Sequence, residues 1–280
     1  MFVSDSIVFT ELHKTGGTHI GKWLSRLSDG QQIGKHNRIP QALRDRFILG
    51  SVRNPWDWYV SLWAFGCSGQ GSVHRQVTRR LDLPYLRRQL APEMGRHRIG
   101  PRIALRQLWQ DAIKPAGTWR MTYRDSSDAI AFRRWLAMIL DPVRRFDVAE
   151  GFGFSPVSDW AGLMTYRYLK LFSHLDERLY TESALATPAG TRQLWEQHRL
   201  VDFVIRTEHL EDDLMRALAL AGVPLNDIQR RQLEEARNRK TNASKRLPMA
   251  HYYDAAAVAL IAEKEALIID QYQYRPPPVS

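Results

Sequence analysis

The chain has 280 residues, 44% hydrophobic and 25% charged, enough to bury a substantial core, and it reads as one domain over 1–280. Lys and Arg total 40 against 30 Asp and Glu, and the resulting +10 suits anionic partners such as nucleotides, nucleic acid, anionic glycans or an acidic membrane surface. Cys67 is the only cysteine, which excludes an intramolecular disulfide and a cysteine-based metal cluster; with no apolar run long enough to span a bilayer, the expectation is a soluble cytoplasmic protein.

Residues 6–12, SIVFTEL, are β-branched and aromatic and predict a buried strand. After the loop HKTGGTH, the stretch from Thr18 to Leu27 puts Ile20, Trp23, Leu24 and Leu27 on one helical face. A second strand is expected at 47–53, FILGSVR, then Asn54 as N-cap, Pro55 at the first helical position and a helix to Phe65. Residues 66–200 read as a helical elaboration, with helical patterns in HRQVTRRLDLPYLRRQL and at 127–141, 159–175 and 191–200. DFVIRTEHL at 202–210 predicts a further strand and its exit, followed by an amphipathic helix from Leu210 to Ala221. A final helix is expected from Asp254 to Tyr272. Strands alternating with helices predict an α/β fold with a central, mainly parallel sheet flanked by helices.

A glycine loop between a strand and a helix exposes successive backbone N–H groups at the positive end of the helix dipole, which attracts an anion. In HKTGGTH, Lys14 adds a mobile charge, Thr15 and Thr18 offer hydroxyls, and Gly16 and Gly17 permit close approach of a ligand. Nucleoside triphosphatases use GxxxxGK[ST], whereas Lys14 precedes both glycines, an order that argues against an ordinary ATPase or GTPase. Alone, KTGGT reads equally as a tight turn with a solvated lysine. The second motif is SVRNPWDWYVSLWAF at 51–65, where Arg53 at a strand end and Ser61 on the next helix can converge on one phosphate. Taken singly, Arg53 also reads as a strand-end ion pair and Ser61 as an ordinary helix serine.

Together, HKTGGTH and VRNPWDWYVS resemble the paired signatures of sulfotransferases that use 3′-phosphoadenosine 5′-phosphosulfate (PAPS). The KTGGT form is similar to Golgi-type carbohydrate sulfotransferases and their bacterial relatives, and the resemblance extends loosely to DFVIRTEHLEDDL at 202–214 and to KTNASKR with the later HYYD. It implies a P-loop-like sulfotransferase fold, with Lys14, Thr15, Gly16, Gly17, Thr18 and the adjoining His19 around the phosphosulfate, and Arg53 and Ser61 on the 3′-phosphate. Asn54 stands where many relatives have Asp. No metal is implied, and the acceptor is a hydroxyl on a carbohydrate or glycolipid.

Sulfuryl transfer needs in-line placement, stabilisation of the leaving phosphate and removal of the hydroxyl proton. The resemblance implies that Lys14 stabilises the bridging oxygen and that Ser61 restrains Lys14 until acceptor binds. His36, in GKHNRIP, lies where similar enzymes carry a catalytic His or Glu and is the expected general base, though it also reads as an exposed loop histidine. Glu11 and His13 are the next candidates. His13 and His19 read equally as packing or anion-binding residues. Lys240, Asn242, Ser244 and Arg246 read either as a loop closing over the nucleotide or as a solvated basic loop. Trp109, Trp119, Trp135, Trp160 and Trp195 fall in or beside the acceptor-side region, where aromatic faces stack on sugars or fill a core. Two rivals remain: a P-loop kinase using ATP and magnesium, and a nucleic-acid-binding protein suggested by the charge and the arginines from 75 to 106. No nucleic-acid module is recognisable, so no nucleic-acid partner is expected; peripheral contact with a membrane surface and the oligomeric state stay open.

Overall fold

A computed structural model describes residues 1–79, 109–148, 150–237 and 246–279. Most of the arginine-rich stretch, from 80 to 106, and Lys240, Asn242 and Ser244 lie outside the described residues. The chain forms two compact units, each assembled from separate stretches of sequence.

The first unit comprises Met1–Asn54, Arg167–Leu175 and Trp195–Ala243. It contains five strands: β1 (Phe2–Ser4), β2 (Ile7–Phe9), β3 (Gly30–Gln32), β4 (Phe47–Val52) and β5 (Phe203–Arg206), in the spatial order β3-β1-β2-β4-β5. β2, β4 and β5 run parallel, with Ile7 opposite Phe47 and Leu49 opposite Phe203. β1 is antiparallel to both β2 and β3. The α/β expectation therefore holds with a correction: the sheet is mixed, and only its β2-β4-β5 half is parallel. The sequence concealed the rest because β1 and β2 are three residues each, joined by a tight turn in which Ser4 Oγ accepts from the Ile7 N–H at 3.1 Å, and because β3, GQQ, is exposed and shows no apolar alternation.

Helix α1 (Gly17–Leu27) follows β2 and buries Ile20, Trp23 and Leu24, as its periodicity predicts. These side chains pack with Phe2, Ile7, Phe9, Leu49 and Ile205 of the sheet and with Leu210, Leu214 and Leu218. The last three lie on a later helix of this unit, Leu210–Leu220. Each large apolar side chain fully buried in this way contributes on the order of 1.5–3 kcal/mol. The parallel pair β2-β4 matters most for function, because both strands deliver their motifs at their carboxyl ends.

The second unit comprises Pro55–Tyr166, Asp176–Leu194 and Ser244–Ser280. It begins with helix α2 (Pro55–Cys67), whose predicted start at Pro55 is observed and whose end lies two residues beyond Phe65. Trp58, Tyr59 and Trp63 of α2 meet Phe132 and Trp135 of helix α3 (Ala129–Leu140), together with Tyr252, in a chain of ring contacts that are edge-to-face except for the tilted Phe132–Trp135 pair. Their polar atoms are satisfied: Trp63 Nε1 donates to the Thr122 carbonyl at 2.8 Å and Tyr252 Oη to the Ser126 carbonyl at 2.7 Å. Trp119, Trp135 and Trp195 are buried, which makes them core rather than sugar platforms; Trp109 is 61% exposed.

The expected helix from Asp254 to Tyr272 is two helices, α4 (Ala255–Lys264) and α5 (Ala266–Tyr272), interrupted at Glu265. Glu265 is wholly buried. Its carboxylate accepts from the N–H groups of Met164 and Thr165 at 3.2 and 2.8 Å, from Thr165 Oγ1 at 2.6 Å and from Tyr59 Oη. Met164 and Thr165 open a helix, Leu163–Phe172, so Glu265 supplies its missing N-terminal acceptors from a distant part of the chain. No apolar pattern announces such a break, because the requirement is tertiary.

Burial pushes the Glu265 carboxyl up to about 7, outweighing the donors that favour the ionised form. Across the window from the ordinary carboxylate value of 4.5 to about 7, the folded chain keeps a proton that the unfolded chain has lost. Stability carried by this group is therefore greatest at the acid side, falls through the window and is flat above it. Urea unfolding at about pH 4.5 and about pH 8 is expected to show Glu265→Gln gaining ~3 kcal/mol on the wild type as pH rises. A pH-independent difference would show that the folded carboxyl titrates in its ordinary range.

Candidate functional site

The residues of both motifs that fall in the first unit gather at the carboxyl ends of β2 and β4. After Phe9 the chain stays tied to β4 for one more residue, with the Thr10 N–H donating to the Leu49 carbonyl at 3.0 Å, and then turns through Glu11–Gly17 into α1. Lys14 has a φ of 64° and Gly16 a φ of 77°, both left-handed. Glycine adopts that backbone without strain; lysine does so only when its surroundings hold it there.

Those surroundings are visible. Thr15 is fully buried, and its Oγ1 donates to the Leu12 carbonyl at 2.8 Å while sharing a hydrogen bond of 2.7 Å with Ser51 Oγ of β4. Arg53, just past β4, donates from Nη1 to the Lys14 carbonyl at 3.2 Å. The Asn54 N–H is taken by Glu208 Oε1 at 2.7 Å, and Thr207 Oγ1 donates to the Val52 carbonyl at 2.8 Å, so the exits of β4 and β5 are joined as well.

Gly16 occupies the N-cap of α1 without a capping side chain, and the first turn holds no acidic residue. Its early N–H groups, with the helix dipole behind them, point toward the loop. Thr18 is exposed, and Lys35 donates from Nζ to its Oγ1 at 3.0 Å. Lys35 is thus a cation at the loop that reading the motifs alone missed; its neighbour His36 in GKHN was the only signal. Opposing these charges is Glu11, buried to 3% exposure, whose carboxyl lies against Gly17: a methyl group on Gly17 would fall 1.1 Å from its Oε2. Burial raises the Glu11 pKa, which favours the neutral form.

His36 is brought to the same loop. It has a φ of 55°, its Nδ1 lies 2.9 Å from the Glu11 carbonyl, and its ring stacks on that of His13 with centroids 3.5 Å apart and planes 14° from parallel. A carbonyl only accepts, so Nδ1 carries the proton and Nε2 the lone pair. The adjoining Asn37 carbonyl accepts from Thr10 Oγ1 at 2.8 Å, which holds this segment against the start of the loop.

Of the other expected site residues, His19 and Thr15 are engaged within the first unit, and Ser61 and Arg246 belong to the second. His19 lies on α1 with its Nε2 accepting from Trp23 Nε1 at 3.0 Å and 3.3 Å from Glu211 Oε1, two partners that compete for one nitrogen. It is occupied by structural contacts. The Thr15 hydroxyl, expected to face a ligand, is buried against the Leu12 carbonyl and Ser51. Ser61 is on α2 in the second unit, 2% exposed. Arg246, expected in a loop over the nucleotide, forms an ion pair of 2.5 Å with Asp57 of α2.

Among the described residues no cluster of three or more His, Cys, Asp and Glu suited to a metal ion occurs, and no helix is long and apolar enough to cross a membrane. No known family, characterised protein or solved structure matches the chain.

Denaturant titration is expected to separate the two threonines. Thr15→Ala should cost about 1–3 kcal/mol, because it strands the Ser51 hydroxyl and the Leu12 carbonyl in a buried place. Thr18→Ala should stay within about 0.5 kcal/mol. Equal losses would mean that the Thr15–Ser51 bond does not hold the loop.

Proposed function

We propose that the chain is a sulfotransferase with a P-loop-like sulfotransferase fold, moving the sulfuryl group of PAPS to an acceptor hydroxyl, on a carbohydrate or glycolipid. One observation carries the reading: the KTGGT loop and Arg53, which the sequence relates to two different phosphates, are joined directly by the Arg53–Lys14 hydrogen bond at 3.2 Å. A loop built around left-handed Gly16 at the uncapped start of α1, with Lys14, Lys35 and Arg53 nearby, fits a nucleotide with two anionic groups. Glu11 fits too, since burial favours its neutral form and so reduces its repulsion of an anion.

PAPS brings an activated sulfuryl group on a phosphate leaving group. The tasks of the chain follow from its own atoms. The N–H groups at the start of α1 and the Lys14 ammonium bind negative charge and stabilise its increase on departure. The Arg53 guanidinium recognises the 3′-phosphate. His36 accepts the hydroxyl proton at Nε2, because its Nδ1 is committed to the Glu11 carbonyl.

Calorimetry in EDTA is expected to show 3′-phosphoadenosine 5′-phosphate bound more tightly than ADP, with Arg53→Ala losing on the order of 1.5–3 kcal/mol for the former. Equal affinity for the two nucleotides overturns the assignment, and magnesium-dependent preference for ATP moves the chain to the kinases.

Labelled-sulfate transfer to glycans, glycolipids, phenols and peptides tests the acceptor class, and transfer confined to phenols would refute it. With a working acceptor, His36→Ala should lower turnover by roughly 10²–10⁴-fold at nearly unchanged nucleotide affinity. Near-normal turnover would move the base to another residue.

A further inference from the structure

The Glu11 side chain is 3% exposed, and among the described residues its carboxyl accepts no hydrogen bond and joins no ion pair. Burial without partners is costly for a carboxyl. The buried Glu265, by contrast, collects donors from Met164, Thr165 and Tyr59. Gly17 is the first residue of α1, and a methyl group there would fall 1.1 Å from Glu11 Oε2, so the missing side chain at 17 is what admits the carboxyl to the start of the helix. Yet no side chain caps Gly16, Glu11 included. An ionised carboxylate beside uncapped helix N–H groups is drawn onto them. Here the two lie side by side unjoined.

We infer that the Glu11 carboxyl is an anion ligand of the loop, keeping its proton and donating it in a hydrogen bond to an oxygen of the bound sulfate or phosphate group, so that anion and proton bind together. One anion at the start of α1 then satisfies both the helix N–H groups and the buried acid. The charges acting on Glu11 from outside its loop are the Met1 ammonium, which donates to the Gly34 carbonyl, and Lys35, whose Nζ donates to Thr18 Oγ1 at 3.0 Å. His13 and Lys14 follow on the loop itself, and His36 Nδ1 meets the backbone carbonyl of Glu11, not its carboxyl. Burial raises the Glu11 pKa against the pull of both amines, and a bound dianion adds negative charge that raises it further. Binding therefore takes up a proton wherever the unliganded carboxyl is ionised, and affinity falls as pH rises through that range. A carboxyl that must keep its proton to hold the anion is not the general base. The inference rests on the sulfotransferase reading only for the identity of the anion.

The test is calorimetry of the whole chain with inorganic sulfate, which stays doubly charged from pH 5.5 to 8.5 (a range of about three units), and with 3′-phosphoadenosine 5′-phosphate, each in two buffers of different ionisation enthalpy. Wild type is compared with Glu11→Gln, which keeps a donor and cannot titrate, and with Glu11→Leu, which keeps bulk and has no donor. Circular dichroism checks that both variants are folded. For sulfate, the wild type should take up more protons than Glu11→Gln and lose affinity relative to it by up to about tenfold per pH unit. At about pH 6, Glu11→Gln should bind within a few-fold of the wild type and Glu11→Leu roughly tenfold or more weakly. Equal proton uptake in wild type and Glu11→Gln overturns the inference, as does Glu11→Leu matching the wild type at about pH 6. Tighter binding by Glu11→Gln at every pH overturns it too, since it shows an ionised carboxylate repelling the anion, and so does failure of the wild type to bind either probe. Glu11-linked proton uptake with sulfate, in a chain that does not prefer the 3′-phosphorylated nucleotide and transfers no sulfuryl group, supports the inference and sinks the PAPS reading alone. Sulfuryl transfer without that uptake does the reverse.

Discussion

The buried hydrogen bond between Thr15 and Ser51 is the constraint on which the candidate site depends. A loop leaving a parallel strand carries backbone polar groups that must find partners, and this one passes the carboxyl ends of β2 and β4 with two left-handed residues. Thr15 resolves the difficulty by turning inward, bonding the Leu12 carbonyl within the loop and Ser51 across to β4. Once that clamp is closed, Lys14 is left with its carbonyl within reach of Arg53, and Gly16 becomes the start of α1. The anion-attracting side of the loop is therefore a by-product of what its other side must bury.

Charge at this place is arranged unevenly. Lys14, Lys35 and Arg53 stand around the loop, and Glu11 is buried against Gly17 where its ionised form is disfavoured, while Glu208 takes the Asn54 N–H at the exit of β4. A site built to receive an anion benefits from a carboxyl only if that carboxyl stays neutral. The second unit uses a buried acid for another purpose: Glu265 joins α2, the opening of the helix Leu163–Phe172 and the junction between α4 and α5 within an aromatic-rich core.

Much of this was legible from residue types. The apolar stripe of α1, the β-branched run of β4 and Asn54-Pro55 at the start of α2 are local signals, and each element appears where its signal stands. β1 and β3 were not legible, since strands of three residues are too short to show a period, and β3, at the edge of the sheet, buries none. The interruption at Glu265 was hidden for the opposite reason, as α4 and α5 read as continuous helix and only partners far away in sequence stop them. In the site, the motifs announced Lys14, Gly16 and Arg53, but the inward turn of Thr15 and the stacking of His13 on His36 depend on which strands lie side by side. That information is in the pairing, not in the motif.

The span of the contacts in the second unit bears on the order in which the protein can acquire its structure. Tyr59 and Glu265 are 206 residues apart, Trp56 and Val258 202, and Trp56 and Tyr253 197. Closing loops of that length is slow, and during synthesis the partners of α2 emerge from the ribosome long after α2 itself. The aromatic face of Trp56, Trp58, Tyr59 and Trp63 is exposed in the nascent chain until then. A helix so rich in indole rings, waiting for the last part of its own core, is the segment that a cellular chaperone would meet first.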